Sequence, residues 1–393
     1  MRTSYLLDAI SFGLVAVCCF MSSETSGAST PIVSANTEFG LKLYKELAKN
    51  DGDKNILISP LSLAMALNMT YNGADSDTKK AMAETLETQG ISLDDLNKAS
   101  SELINTLTKL DKGAKLEMAN SLWANKDIIF KQKFLDSNRD FYDAKVENVD
   151  FGDTASADVI NDWVSEKTHE KIDKIVTDDL SDDVVAIIMS AAYFNGRWSV
   201  AFNKENTKER DFILIDGNRK KVPMMSDESK QFRAFEGEGF GAVSIPYGDG
   251  KVNMYIFVPY YDSSLKEFGE KLNVENWNLW ISQFENDKIT LLMPRFKADY
   301  EAKLNSALEA LGMGVAFGSN ADFGDMCDEP AFISQVKHKS FMEVNEEGTE
   351  ASAGNIVVLK KGGGTFYVNR PFFFAIRDDQ TGAILFMGSI VEP

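Results

Sequence analysis

Chemistry at a protein site needs groups that can attack, donate or accept, and this chain of 393 residues holds few of them in useful spacing. Two histidines, His169 and His338, are its whole stock of imidazole, so metal clusters and histidine-based triads have little to work with. His169 stands in Ser165-Glu166-Lys167-Thr168-His169-Glu170-Lys171, which reads as a solvated helix face. Of three cysteines, Cys18 and Cys19 lie in the first apolar run, and Cys327 reads as a spectator thiol. Gly237-Glu238-Gly239-Phe240-Gly241-Ala242 has the letters of a dinucleotide loop. A strand-like Val243-Ser244-Ile245 follows it where a phosphate cradle needs a helix N-terminus, so the glycines read as a turn. Asn320, Asp322, Asp325 and Asp328 fit no calcium-loop spacing and read as acidic surface. Neither a nucleophile elbow nor a Walker loop occurs. The reading is therefore not an enzyme, with no catalytic residue, no metal and no cofactor assigned.

One pattern suits being attacked rather than attacking. Val344-Asn345-Glu346-Glu347-Gly348-Thr349-Glu350-Ala351-Ser352-Ala353-Gly354 opens charged and passes through small residues; Asn355 to Gly364 then turns β-branched and ends in Lys360-Lys361 and three glycines. A loop that merely joined two elements would be short and polar. With a period of two, Thr349, Ala351, Ala353, Asn355, Val357 and Leu359 share one face, and Glu350, Ser352, Gly354, Ile356 and Val358 share the other. The first face starts with residues small enough to slip between existing strands, while the second carries the charge that must stay out. Such a segment can join a sheet as an added central strand. A charge in place of Thr349, or bulk in place of Ala351, would block its entry.

The rest of the chain must supply that sheet. Helical spacing covers Thr37 to Leu47, Leu61 to Tyr71, Ser76 to Leu86, Leu93 to Leu110 and Ala155 to Lys171. Ser59 caps the second of these ahead of Pro60. Strands are predicted over Val184 to Phe194, Gly241 to Ile245, Val252 to Val258, Lys288 to Met293, Thr365 to Val368, Phe372 to Ile376 and Ile384 to Val391. Runs such as Ala186-Ile187-Ile188-Met189 are continuously apolar and so suit burial on both faces. Helices first and a broad buried sheet later make the class α+β. No linker or repeat interrupts residues 31 to 393, which favours one domain. Asn68-Met69-Thr70 is a glycosylation sequon by letter only, since it lies in an apolar helix.

The net charge of −19 repels phosphate backbones and acidic membranes, so neither nucleic acid nor a membrane is expected as a partner. Leu93 to Lys115 lacks a basic stripe, so no heparin site is expected either. At the N-terminus, Arg2 precedes a nearly uncharged run from Ala9 to Met21, and small residues follow up to Ala28. Residues 1–28 read as a signal peptide, with a disordered extension as the alternative, and imply a secreted, extracellular protein, or a periplasmic one in a bacterium. The apolar run is shorter than the ~20 residues a spanning helix needs.

Several motifs taken together resemble the serpin family of serine protease inhibitors. The hinge-like Glu346, Glu347, Gly348, Thr349, Glu350, Ala351, Ser352 and Ala353 is similar to that of its inhibitory members, and Phe366-Tyr367-Val368-Asn369-Arg370-Pro371-Phe372-Phe373-Phe374 to their C-terminal signature. Asn55-Ile56-Leu57-Ile58-Ser59-Pro60, Tyr193-Phe194-Asn195-Gly196-Arg197-Trp198, Val222-Pro223-Met224-Met225 and Met293-Pro294-Arg295-Phe296 follow the family order. The resemblance spans about residue 31 to the end. It implies one serpin domain over 29–393, with three β-sheets, about nine helices and a reactive-centre loop over 346–366 exposed above a five-stranded sheet. It also implies a monomeric suicide inhibitor. A serine protease cleaves the loop, forms a covalent acyl-enzyme and is dragged away as the loop inserts. The family's gate, or shutter, maps onto Ser59, Ser62, Ser190 and His338, and Trp198 falls at the breach where the loop enters. Ser190 stands where the family usually has asparagine, which shortens the reach to the imidazole.

Family spacing forward from Glu346 lands on Gly362, which fills no specificity pocket, and spacing back from Pro371 lands on Lys360. Between them, the ammonium of Lys361 suits a pocket floored by a carboxylate. The Lys361–Gly362 bond is the first choice and implies a trypsin-like target; Lys360–Lys361 and Leu359–Lys360 are the alternates. Cleavage through Leu359 or Val358 would suit elastase-like, subtilisin-like or cysteine proteases. A non-inhibitory serpin, acting as carrier or chaperone, is the other alternative.

Overall fold

A computed structural model describes residues 29–110, 113–176, 180–181, 183–349 and 364–393. The expected signal segment, hinge residues Glu350 to Ala353 and the candidate cleavage positions Leu359, Lys360, Lys361 and Gly362 lie outside the described residues.

The first half runs α1 (Ser29–Asp51), β1 (Ile56–Ile58), α2 (Pro60–Tyr71), α3 (Ser76–Thr85), α4 (Leu93–Leu107), β2 (Ala114–Asn125), α5 (Gln132–Tyr142), β3 (Lys145–Val149), α6 (Ala155–Lys167) and β4 (Ala186–Arg197). Then come β5 (Lys208–Ile213), β6 (Arg219–Gly237), β7 (Phe240–Tyr247), β8 (Val252–Pro259), α7 (Leu265–Lys271), α8 (Val274–Ser282), β9 (Glu285–Pro294), β10 (Phe296–Lys303) and α9 (Asn305–Leu308). The chain closes with β11 (Gln335–Asn345), β12 (Gly348–Thr349), β13 (Thr365–Tyr367), β14 (Phe372–Asp378) and β15 (Ile384–Ile390). Ser59 caps α2 as expected, its side chain accepting from the Ser62 amide, with Pro60 at the first turn where a missing N–H costs nothing. Gly239, at φ +88°, turns β6 into β7, so the glycine motif is a hairpin turn.

One expectation shifts. The helix carrying His169 ends at Lys167, and His169 and Glu170 both take left-handed backbone, φ +52° and +61°. His169 therefore sits in the turn after α6 rather than on a helix face, with its exposed ring 3.1 Å from the Glu117 carboxylate.

The central sheet has the order β10-β11-β12-β4-β2-β3: five full strands, with β12 a two-residue stub between β11 and β4. The remaining strands hydrogen-bond along one path, β1-β15-β14-β8-β7-β6-β9-β13, with β5 on β6. This path holds the second and third of the three expected sheets. They are continuous because β6 is 19 residues long and its pairing with β9 shifts register between Asp227 and Lys230, so one strand serves both.

The central sheet is buried on both faces. Phe194, Ala192, Ile188, Met342 and Val344 point into the main core with α2, while Ala191, Met189, Tyr193 and Trp123 meet Ile160 and Val164 of α6 on the front.

Candidate functional site: a seam in the central sheet

β11 and β4 pair directly and in parallel from Gln335↔Ile187 to Phe341↔Tyr193. Above that point they part, and the stub enters between them. Gly348 and Thr349 pair antiparallel with Asn345 and Val344 on one side and with Arg197 and Gly196 on the other. The segment expected to carry the cleaved bond thus begins with two residues already paired in the sheet.

Sequence chooses this geometry. Gly348 has φ +146°, which side-chain-bearing residues rarely adopt, and a Cβ there would lie 2.0 Å from the Gly196 carbonyl oxygen. Thr349 is fully buried on the inner face, its hydroxyl 2.8 Å from that of Tyr247. Tyr247 stacks on Trp198, with ring centroids 4.3 Å apart and planes 18° from parallel. Trp198 grips the hinge's backbone: Nε1–H donates to the Asn345 carbonyl at 2.9 Å, and its amide donates to the Glu347 carbonyl at 3.0 Å. Glu346 turns inward, only 1% exposed, and one oxygen accepts from Arg295 Nη2 at 2.6 Å and Nε at 2.8 Å, and from the Thr207 hydroxyl. Burial pushes the Glu346 carboxyl up, but the Arg295 and Thr207 hydrogen bonds outweigh it and hold its pKa below the usual range. Glu347 reaches Lys204 at 2.5 Å.

Lower in the seam the four predicted gate residues meet. His338 is fully buried, and its Nδ1–H donates to the Ser190 carbonyl at 2.9 Å while Nε2 accepts from the Ser59 amide at 3.2 Å. Those partners require a neutral ring, and burial drives its pKa down to about 4, the Ser190 hydrogen bond opposing weakly. The Ser190 hydroxyl donates to Ser62 Oγ at 2.9 Å, and the Ser62 hydroxyl donates to Asn120 Oδ1 at 2.9 Å. Ser59 Oγ donates to the Leu385 carbonyl at 2.7 Å. The short side chain at 190 therefore does not break the link to the imidazole, because the strand's own carbonyl makes it.

Three participants escaped the sequence reading. Asn120 sits opposite Ser190 in register on β2, and only an Asn-Ser pair inside a run of buried positions hinted at it. Tyr247 lies just past the end predicted for β7, and Arg295 carried no signal that it would pair with Glu346. Elsewhere, Asp325 and Asp328 are taken up by Lys79 and Lys131 at 3.3 and 2.7 Å, and Cys327 is 1% exposed, with burial raising its thiol pKa. Asn68 is fully buried.

A seam, a half-entered strand and a polar gate beneath it define the class, and the comparisons agree. The family model described as "Serpin (serine protease inhibitor)" matches residues 34–393, and the chain belongs to that family. Serpin B6 of Pongo abelii is 34% identical over 374 residues, covering 92% of this chain and 99% of that relative. The native thermophilic serpin tengpin superposes with a TM-score of 0.85 at 32% identity, covering 92% and 94% of the two chains. Human thyroxine-binding globulin in complex with its ligand, at 24% identity and a TM-score of 0.86, covers 93% and 99% and shares the fold. Members of the family are protease inhibitors rather than catalysts.

Proposed function

We propose that this chain is an inhibitory serpin that traps a serine protease through cleavage and insertion of residues 346–366. The observation that carries this reading is the Gly348–Thr349 stub, already paired on both sides at the mouth of a seam whose strands below are parallel. A parallel pair can admit a strand antiparallel to both without reversing either. From Thr349 to Lys361 is 13 residues, about 43 Å at roughly 3.3 Å each, so an enzyme acylated at Lys361 is carried tens of ångströms. A new central strand gaining roughly 15 to 20 ladder bonds at about 1 kcal/mol net each releases on the order of 10 to 20 kcal/mol, ample to distort a catalytic site.

The proposed bond is Lys361–Gly362 and the proposed target trypsin-like, with Lys360 and Leu359 as alternates and a monomer acting alone. Residues 1–28 are proposed as an export signal, an assignment to which the comparisons lend no support. No helix among the described residues is long and apolar enough to cross a membrane.

The test is incubation with trypsin, SDS electrophoresis and mass spectrometry of the released C-terminal peptide. An SDS-stable complex with a peptide beginning at Gly362 is expected. A peptide beginning at Lys360 sinks the trypsin-like target, and cleavage that leaves no complex and no gain in thermal stability favours a carrier or chaperone.

A further inference from the structure

Three helices bring six uncharged polar side chains to one buried junction. Asn68 and Asn72 stand on α2 and its C-cap, Asn97 and Ser100 on α4, and Asn138 and Tyr142 on α5. The members of each pair are three or four residues apart, so each pair lies on one helix face. All six are buried, and Asn68, Ser100 and Asn138 completely so. The three faces are tied together in the middle. Asn72 Nδ2 donates to Asn97 Oδ1 at 3.1 Å, Asn97 Nδ2 donates to Asn72 Oδ1 at 2.8 Å, and the Tyr142 hydroxyl, with Ser100 beside it, donates to Asn97 Oδ1 at 2.7 Å. The Phe134 ring lies 3.0 Å from where a Cβ on Gly73 would stand. α5 therefore crosses the end of α2 between Phe134 and Tyr142, the interval in which Asn138 lies.

One turn out from these bonds the accounting falls short. Asn68 Nδ2 and Oδ1, Ser100 Oγ and Asn138 Oδ1 have no hydrogen-bond partner among the described residues. Asn138 Nδ2 donates back to the Phe134 carbonyl, which leaves its oxygen free to accept. A polar atom taken out of water and left unbonded destabilises the fold with nothing in return, and four such atoms meet here.

The chemistry of the set selects what completes it. None of the six carries a charge, so an ion would find no opposite charge among them. Donors and acceptors are mixed: N–H groups on Asn68, a hydroxyl on Ser100, and amide oxygens on Asn68 and Asn138. Water offers both, and a buried molecule makes about three hydrogen bonds, so four unbonded atoms call for about one or two molecules.

We propose that the junction of α2, α4 and α5 is an internal hydration site, in which one or two water molecules bridge Asn68, Ser100 and Asn138. The bridge completes what the Asn72, Asn97 and Tyr142 bonds begin and makes the three helices one hydrogen-bonded unit. It is independent of the loop and of any protease. Asn68, a glycosylation sequon by letter only, thereby has a buried use.

The test uses the full chain, labelled with nitrogen-15, as wild type and as Ser100→Ala. Magnetisation transfer from water to the Asn68 side-chain amide protons is recorded, and Tm is measured alongside. The wild type is expected to show water cross-peaks at Asn68 with the sign of a molecule that tumbles with the protein. Ser100→Ala is expected to weaken them and to lower Tm by about 1 to 3 °C, although alanine is the better helix former. A Tm that rises instead overturns the inference, because the substitution would then have removed a hydroxyl that nothing bonded. Wild-type Asn68 protons without a water cross-peak overturn it too, whether or not the variant folds.

Discussion

Gly348 runs so close to Gly196 that a Cβ on Gly348 would stand 2.0 Å from the Gly196 carbonyl oxygen. Backbone against backbone is the only fit at the mouth of the seam, and it places the Gly348–Thr349 stub where the pairing of β11 with β4 has ended.

Gly348→Ala is therefore expected to expel or distort the stub. It combines a left-handed backbone with a clash against main chain that cannot swing aside. A loss of about 1 to 3 kcal/mol in native stability is expected from urea unfolding of the uncleaved protein. An unchanged midpoint would contradict the observed close approach.

Thr349→Arg should turn an inhibitor into a substrate. Thr349 is fully buried against Tyr247, so a guanidinium there would be taken out of water. Protease should cleave the loop and leave, giving cleaved protein in place of SDS-stable complex. Complex formation at the wild-type stoichiometry would show the inward register to be wrong.

Replacing Arg295 by Met strands the Glu346 carboxylate in the hinge with only the Thr207 hydroxyl from this cluster. Arg295 is itself 42% exposed, so the loss is discounted from that of a fully buried pair to about 1 to 3 kcal/mol. Because Glu346 has a depressed pKa in the fold, its contribution is present above the unfolded carboxylate pKa and lost as pH falls through the folded one. The wild type's advantage over Arg295→Met should accordingly shrink on acidification below about pH 4.3. Equal differences at pH 7 and pH 3 would remove the pair as the cause.

His338 gives a second acid window. Its folded pKa of about 4 lies below the ordinary 6.5, so between those values the unfolded chain binds the extra proton and stability falls as pH drops. The loss amounts to something on the order of 3 kcal/mol between pH 6.5 and 4. Denaturant titrations at pH 7 and 4.5 should show it in the wild type and show a shallower slope in His338→Gln. The same slope in both proteins would take His338 out of the acid response.

Most of the fold's apolar elements were legible in the chain. α2, β7, β8, β14 and β15 come within one to three residues of their predicted ends, because continuous apolar runs and a Ser-Pro cap act locally. β2, β6, β10 and β11 were not legible. β2 reads Ala-Lys-Leu-Glu-Met-Ala, good helix formers, and β6 carries eight charged residues in its 19; both are strands because neighbours hold them on either side. His169 was placed on a helix because charge pattern continues past Lys167, whereas the backbone turns at Thr168.

The sequence by itself determined that a segment with small residues on one face and charge on the other would precede a dibasic site. Alternation and side-chain size are properties of neighbouring residues and need no fold to be read. Tertiary structure alone decided how far that segment has entered and what it meets. Asn120, Tyr247 and Arg295 become partners of Ser62, Thr349 and Glu346 only through helix packing and strand registers that join positions 51 to 102 residues apart. Those registers are set by burying whole sheet faces at once, a cooperative choice that no single stretch of chain can make.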